Sequence, residues 1–195
     1  GWYLKDLKSG NSSDRNGSEV VPSASVRKIA IMMTGMQAIT AGKISLQQRV
    51  PIEKIYQDND SGCFQHFQPD FDVSFRDAMV MMIIVSDNTC TGAVANLLGL
   101  DAINNFSRNI GMLGTTHRFG IPPGGMTGQY SAAETNSTTP NDVGLLLEII
   151  LAGTQDTGAA EQLGTTPELC QLAIDILSWQ RLKNRIPLLL PAGTK

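Results

Sequence analysis

The sequence predicts an α/β chain in which two short N-terminal strands lead into a succession of helices. Two runs, residues 29–41 and 78–85, are apolar nearly all round, the pattern of helices buried on every side. Ser74-Phe75-Arg76-Asp77, Thr139-Pro140 and Thr166-Pro167 place a hydroxyl where the first amides of a helix need an acceptor. Residues 2–7 and Val20-Val21 have strand character.

Taken in order, residues 2–7 form a first strand closed by a turn over 8–11, and the polar stretch 11–18 reads as loop. Val20-Val21 is a second strand stopped by Pro22, and a helix then runs from Ser25 to Ala41-Gly42, glycine being a usual residue just past a helix end. Residues 46–60 are mixed and irregular, and Ser61-Gly62-Cys63-Phe64 is a turn that presents an aromatic ring. The helix over 78–85 halts at Ser86-Asp87-Asn88, three cap-and-turn residues in a row. Helices over 89–98 and 101–110 end at Gly99 and Gly111. Residues 115–139 lack periodicity and hold Pro122-Pro123-Gly124-Gly125 and Gly128, a long loop of the kind that is functional or disordered. Helices over 141–152 and 168–180 follow.

The 195 residues carry a formal charge of −3 and are 42% apolar, enough for one globular domain or two small lobes sharing a site. Mild acidity without a basic cluster argues against nucleic acid as a partner, and no apolar run is long enough to cross a bilayer. Cys63, Cys90 and Cys170 lack metal-ligand spacing and read as free thiols. With two histidines, one of them (His66) read as a loop-surface residue, a His-based catalytic triad is not expected.

The chemistry concentrates at two places. Ser25 and Lys28, three residues apart, share one face at the start of a buried helix. Desolvation and the positive end of the helix dipole both disfavour a charged lysine there, and a neutral lysine beside a hydroxyl is a general base beside a nucleophile. The same residues also read as a helix cap and a lysine whose amine reaches water. Ser86-Asp87-Asn88 also reads as an ordinary helix-stop turn.

Ser-x-x-Lys followed by Ser-Asp-Asn resembles the signature of class A β-lactamases and penicillin-binding serine hydrolases. Val85-Ser86-Asp87-Asn88-Thr89, Phe75-Arg76-Asp77-Ala78 and Ser137-Thr138-Thr139-Pro140 resemble the same family in its order and spacing, over essentially the whole chain. The resemblance implies a β-lactamase-like α/β fold, an all-helical lobe against an antiparallel sheet lobe. Residues 1–24 would then be N-terminal strands of the sheet lobe, 25–186 the helical lobe, and 187–195 the start of the return to the sheet. It implies that Ser25 is the acylated nucleophile, that Lys28 takes its proton, and that Ser86 relays a proton to the leaving nitrogen. It implies also that Asn88 and Cys63 contact substrate, that Asp87 ties the turn together, and that the Ser25 amide is half of an oxyanion hole. The implied substrate is a small-molecule β-lactam or related amide or ester, without metal or organic cofactor, in a periplasmic or secreted protein. A transacylase, esterase or D,D-peptidase on the same scaffold is the alternative, as is a penicillin-binding sensor that acylates once.

Two departures stand out. Lys-Thr-Gly is absent from the 195 residues, so a C-terminal fragment or second chain is expected to supply it. The long loop also lacks the family's deacylating glutamate, which counted back from Pro140 falls near Pro123; Glu134 is its only acid and reads equally as a solvated loop residue. Asn136 stands where the family has an aspartate, so a hydrogen bond to Arg118 is expected in place of an ion pair.

Overall fold

The computed structural model describes residues 1–57, 61–121 and 130–183. Pro122 to Gly125, Gly128 and residues 187–195 lie outside them.

Strands β1 (Trp2–Lys5) and β2 (Ser12–Arg15) form an antiparallel hairpin in the register Trp2↔Arg15 to Lys5↔Ser12. The second of these strands was expected as loop. Its side chains are all exposed, so no alternation marks it, and its pairing with β1 makes it a strand. Tyr3 of β1 lies over Gly144, where a Cβ would meet the ring at 2.2 Å, so the hairpin sits directly on a helix further along the chain. Strand β3 is Val21–Pro22 rather than Val20-Val21.

A 3-10 turn over Ala24–Arg27 then runs into α1 (Lys28–Thr40), so Ser25 precedes the α-helix instead of occupying its first turn. In 3-10 geometry residues three apart eclipse one another, which keeps Ser25 and Lys28 on one edge. In α1 the stretch from Ala30 to Met36 is buried without interruption, and the helix packs against four others described next, α2, α3, α4 and α7.

Within 46–60, expected as irregular, Arg49–Ile52 is a strand, β4, paired antiparallel with β5 (Phe71–Ser74). Val50 and Ile52 point into the core while Arg49 and Pro51 face solvent, and a four-residue alternation is too short to stand out in the sequence. Ser74 then caps α2 (Phe75–Ile84) by accepting from the Asp77 amide. Asp87 caps α3 (Asn88–Leu98), and α4 (Leu100–Asn109) follows. Strand β6 (Ser137–Thr138) pairs with β3, bringing the end of the long loop against the residues that lead to Ser25. Thr139 caps α5 (Pro140–Gly153) with proline in its first turn, and Thr166 caps α7 (Pro167–Ser178) in the same way. Between them lies α6 (Thr157–Gln162), a short helix not anticipated from the sequence, capped by Asp156.

The fold is therefore α/β, with small antiparallel sheets against a predominantly helical body. Its core includes Met32, Met33, Met36, Met79, Met82, Phe75, Phe106 and Ile150. Flexible thioethers suit the irregular gaps between helices that are buried on several sides. Among the described residues no helix is long and apolar enough to cross a membrane.

At Gly35 α2 packs tightly on α1: a Cβ there would lie 2.7 Å from the Phe75 ring, itself fully buried. Gly35→Ala gains roughly 1 kcal/mol of helix propensity and loses roughly 1–3 kcal/mol to overpacking. We expect net destabilisation in urea titration, relieved when Phe75→Leu is added.

Candidate active site

The site begins with a buried amine. Lys28 is only 2% exposed, and its Nζ donates to Ser86 O at 2.7 Å, Ser86 Oγ at 2.9 Å and Asn88 Oδ1 at 2.7 Å. Ser86 Oγ in turn donates to Ser25 Oγ at 2.8 Å. Among the described hydrogen bonds, Lys28 therefore reaches Ser25 through Ser86. Burial pushes the Lys28 pKa down to about 7, with the charge of Arg27 adding to the fall and Asp87 and Cys90 opposing it.

Two strained residues hold this arrangement. Ala24, immediately before Ser25, has φ +43°, and Ser86 has φ +58°. Neither is glycine, and a left-handed conformation at such residues costs on the order of 1–3 kcal/mol and persists only where the surroundings enforce it. At Ser86 the enforcement is visible: its carbonyl accepts from Lys28 Nζ and from Ser61 Oγ, and its hydroxyl bonds both Lys28 and Ser25.

Asp87, fully buried, ties the turn to its neighbours. One carboxylate oxygen accepts from the Cys63 amide at 2.7 Å and the Phe64 amide at 2.9 Å, and the other from the Cys90 amide at 2.9 Å. This single side chain caps α3 and anchors residues 63–64 beside Ser86-Asp87-Asn88. The expected exposed aromatic of that turn is instead buried: Phe64 stacks on Phe67 with centroids 5.1 Å apart and meets Phe71 edge-on at 5.5 Å. Cys63 is half-buried, and its thiol pKa is raised by burial and by Asp87. All three cysteines are free thiols.

The long loop meets the site at its two described ends. Arg118 was expected to reach Asn136 with its side chain. The contact is made instead by backbone: the Arg118 and Phe119 amides donate to Asn136 Oδ1 at 2.7 and 3.0 Å, while the guanidinium donates to Thr135 O and Ser137 Oγ. An amide side chain offers no charge to attract the guanidinium. Glu134 is exposed and is taken up by Ser131, whose hydroxyl and amide bond its carboxylate and hold its pKa below the ordinary range. Pro123, near which the family's glutamate is expected, lies outside the described residues. Among the described residues no group of three or more His, Cys, Asp and Glu is placed to hold a metal ion.

A family model for a beta-lactamase enzyme family matches residues 1–195. The chain belongs to the beta-lactamase enzyme family. A comparison with curated proteins finds no match. Among solved structures, the chain is similar to a beta-lactamase from Sphaerobacter thermophilus DSM 20745, with a TM-score of 0.80 at 25% identity over 95% of this chain and 65% of that one. It is similar to PBP-A with a TM-score of 0.82 at 26% identity, over 98% of this chain and 66% of PBP-A. A variant of PBP-A, matched equally well, is an acyl-enzyme complex with penicillin G. The D-alanyl-D-alanine carboxypeptidase DacD from Francisella tularensis shares the fold, with a TM-score of 0.63 at 24% identity over 83% of this chain and 38% of that one. The chain thus spans 65% and 66% of the lengths of the first two.

Sequence reasoning missed four features. Ser61 and the strained Ser86 backbone carry no signal of their own, since serine is common in turns. Arg27 is buried between the two motif residues Ser25 and Lys28, and its signal was its place inside the motif. His117, 2% exposed, has no hydrogen-bond partner at either ring nitrogen among the described residues. Burial, and secondarily the charge of Arg27, lowers its pKa to about 3.

His117 makes a pH prediction. The unfolded chain protonates it below about pH 6.5, whereas the native protein keeps it neutral until about pH 3. Its contribution is fully present above the unfolded value and is lost as pH falls toward the folded one. Stability should drop by on the order of 1.4 kcal/mol per pH unit across that window. In urea unfolding from pH 7 to pH 4, His117→Leu should show a shallower decline than wild type.

Proposed function

We propose that this chain carries the serine machinery of an acyl-enzyme hydrolase acting on β-lactams or related activated amides and esters. The observation that carries the reading is the continuous hydrogen-bonded path from Ser25 Oγ through Ser86 Oγ to the buried Lys28 amine.

The proton inventory supports it. Charged Lys28 has three N–H bonds for its three acceptors and no lone pair to offer. Neutral Lys28 donates to Ser86 O and Asn88 Oδ1, which only accept, and turns its lone pair to Ser86 Oγ. Ser86 then donates to Lys28 and accepts from Ser25, reversing the direction of the hydroxyl pair. As Ser25 Oγ attacks the carbonyl carbon, its proton passes to Ser86 while the Ser86 proton passes to Lys28. When the carbon–nitrogen bond breaks, the return of a proton along the same path neutralises the leaving nitrogen. Ser25 is the second residue of its helical turn, so its amide has no intrahelical acceptor and is available to the developing oxyanion. Asn88, which accepts from Lys28, and Cys63, whose amide donates to Asp87, are the proposed substrate contacts.

Release of the acyl group is the weaker step in this reading. Residues 115–133 contain no Asp or Glu, and Glu134 is exposed and occupied by Ser131. Without a positioned base, attack by water on the ester is slow. This favours the second reading, a penicillin-binding protein or transacylase that retains its acyl group until a better acceptor arrives. The penicillin G acyl-enzyme of the PBP-A variant is in keeping with it.

Tested on the full protein by intact mass after penicillin exposure, Ser25→Ala should lose the covalent adduct, and labelling at any other residue would overturn the mechanism. Lys28→Ala should acylate about 100- to 10,000-fold more slowly, the usual scale for a general base. With a chromogenic cephalosporin, wild type and Glu134→Gln should both give a burst followed by the same slow phase. A burst-free wild type with a burst in Glu134→Gln would make Glu134 the deacylating base.

A further inference from the structure

Arg27 is the residue of the Ser-x-x-Lys segment that the proposed chemistry leaves unused. Its side chain points away from solvent at 5% exposure, and its guanidinium donates to two backbone carbonyls, Phe119 O at 3.2 Å and Gly120 O at 2.6 Å. No carboxylate pairs with it among the described residues, and the loop segment 115–133 that it touches has no acid to offer. A buried cation with only neutral acceptors is an expensive arrangement, and neutral residues of similar volume usually serve better as packing. We propose that Arg27 is a positioning residue for the acyl transfer described above: it clamps the start of the long loop to the turn that carries Ser25 and sets a fixed, buried positive charge one residue before Lys28. The role rests on that reading of Ser25 and Lys28.

The groups facing Lys28 support the assignment. On its own segment is Arg27; from the turn before α3 comes Asp87; from α3 itself, Cys90; and from the start of the long loop, His117 lies within reach of Arg27. Burial keeps Cys90 a neutral thiol and His117 a neutral imidazole near pH 7, whereas Arg27, lowered only to about 10, stays charged. Asp87 opposes Arg27, but its carboxylate already serves three amides. Repulsion from Arg27 and desolvation therefore act together on Lys28, and substituting Arg27 should move Lys28 toward its ordinary range.

The deciding experiment reads Lys28 directly, without relying on turnover. In protein labelled with carbon-13 lysine, the Lys28 ε-methylene signal, assigned by its loss in Lys28→Arg, is titrated by NMR. Wild type should titrate near pH 7. Arg27→Gln keeps a donor for the carbonyls and removes the charge, and should raise the midpoint by on the order of one pH unit; Arg27→Lys keeps the charge and should stay close to wild type. An unchanged midpoint in Arg27→Gln, or an equal rise in both variants, would overturn the proposal. Should Arg27→Gln fail to fold, a midpoint in the ordinary lysine range in wild type or Arg27→Lys would overturn it, and low midpoints in both would support it. The low-pH limb of penicillin acylation should follow the titration in each variant. If Lys28 titrates as expected but no adduct forms at Ser25, the hydrolase reading fails, and what stands is the coupling of Arg27 to Lys28 without a role in acyl transfer.

Discussion

Burying one amine sets the geometry of this molecule. Lys28 lies at the head of α1, and its three acceptors come from Ser86 and Asn88, so the turn between α2 and α3 has to close over it. A buried ammonium or amine without partners is among the costliest features a core can contain. The consequence is visible in the backbone: Ser86 is held in the left-handed region so that both its carbonyl and its hydroxyl face the same nitrogen. Strain at one residue is the counterpart of full satisfaction at another.

Asp87 carries the constraint outward. Its side chain points away from Lys28's acceptors and into the amides of residues 63, 64 and 90, so the turn that serves the lysine also organises the next loop. Phe64, fixed by that anchor, nucleates the cluster with Phe67 and Phe71, and Phe71 belongs to the strand that leads to Ser74 and α2. On the other side, pairing of β3 with β6 joins the approach to Ser25 to the end of the long loop. The Ser25 hydroxyl is thus supported from segments far apart in the chain, each by a small number of polar contacts.

The loop contrasts with this well-determined centre. At its described ends it is held without an ion pair between its own residues and the site: backbone amides donate to Asn136, and backbone carbonyls accept from Arg27. Where the family resemblance implies an aspartate and a catalytic glutamate, the chain has Asn136 and a loop sequence without an acid before Glu134. Under the proposed function, such a loop favours forming an acyl-enzyme over emptying it, and release of the acyl group is the step at which the protein would depart from a β-lactamase.

The sequence by itself determined whatever depends on local pattern. The all-round apolar runs give α1 and α2, the hydroxyl–proline pairs give the starts of α5 and α7, and Ser25, Lys28, Ser86 and Asn88 were legible because their spacing matches a known constellation. Features created by pairing between distant segments were not legible. Strand β2 has no buried face, β4 is too short for its alternation to register, and α6 is a six-residue helix fixed mainly by packing against α5 and α7. The order of the site was decided by tertiary structure as well: Ser86 lies between Ser25 and Lys28, Phe64 turns inward, and Arg27 is buried without a counter-ion among the described residues. Sequence spacing states which side chains share an element, but only the packing of elements decides which polar groups lose water together, and that loss of water sets the charge and the partners of each.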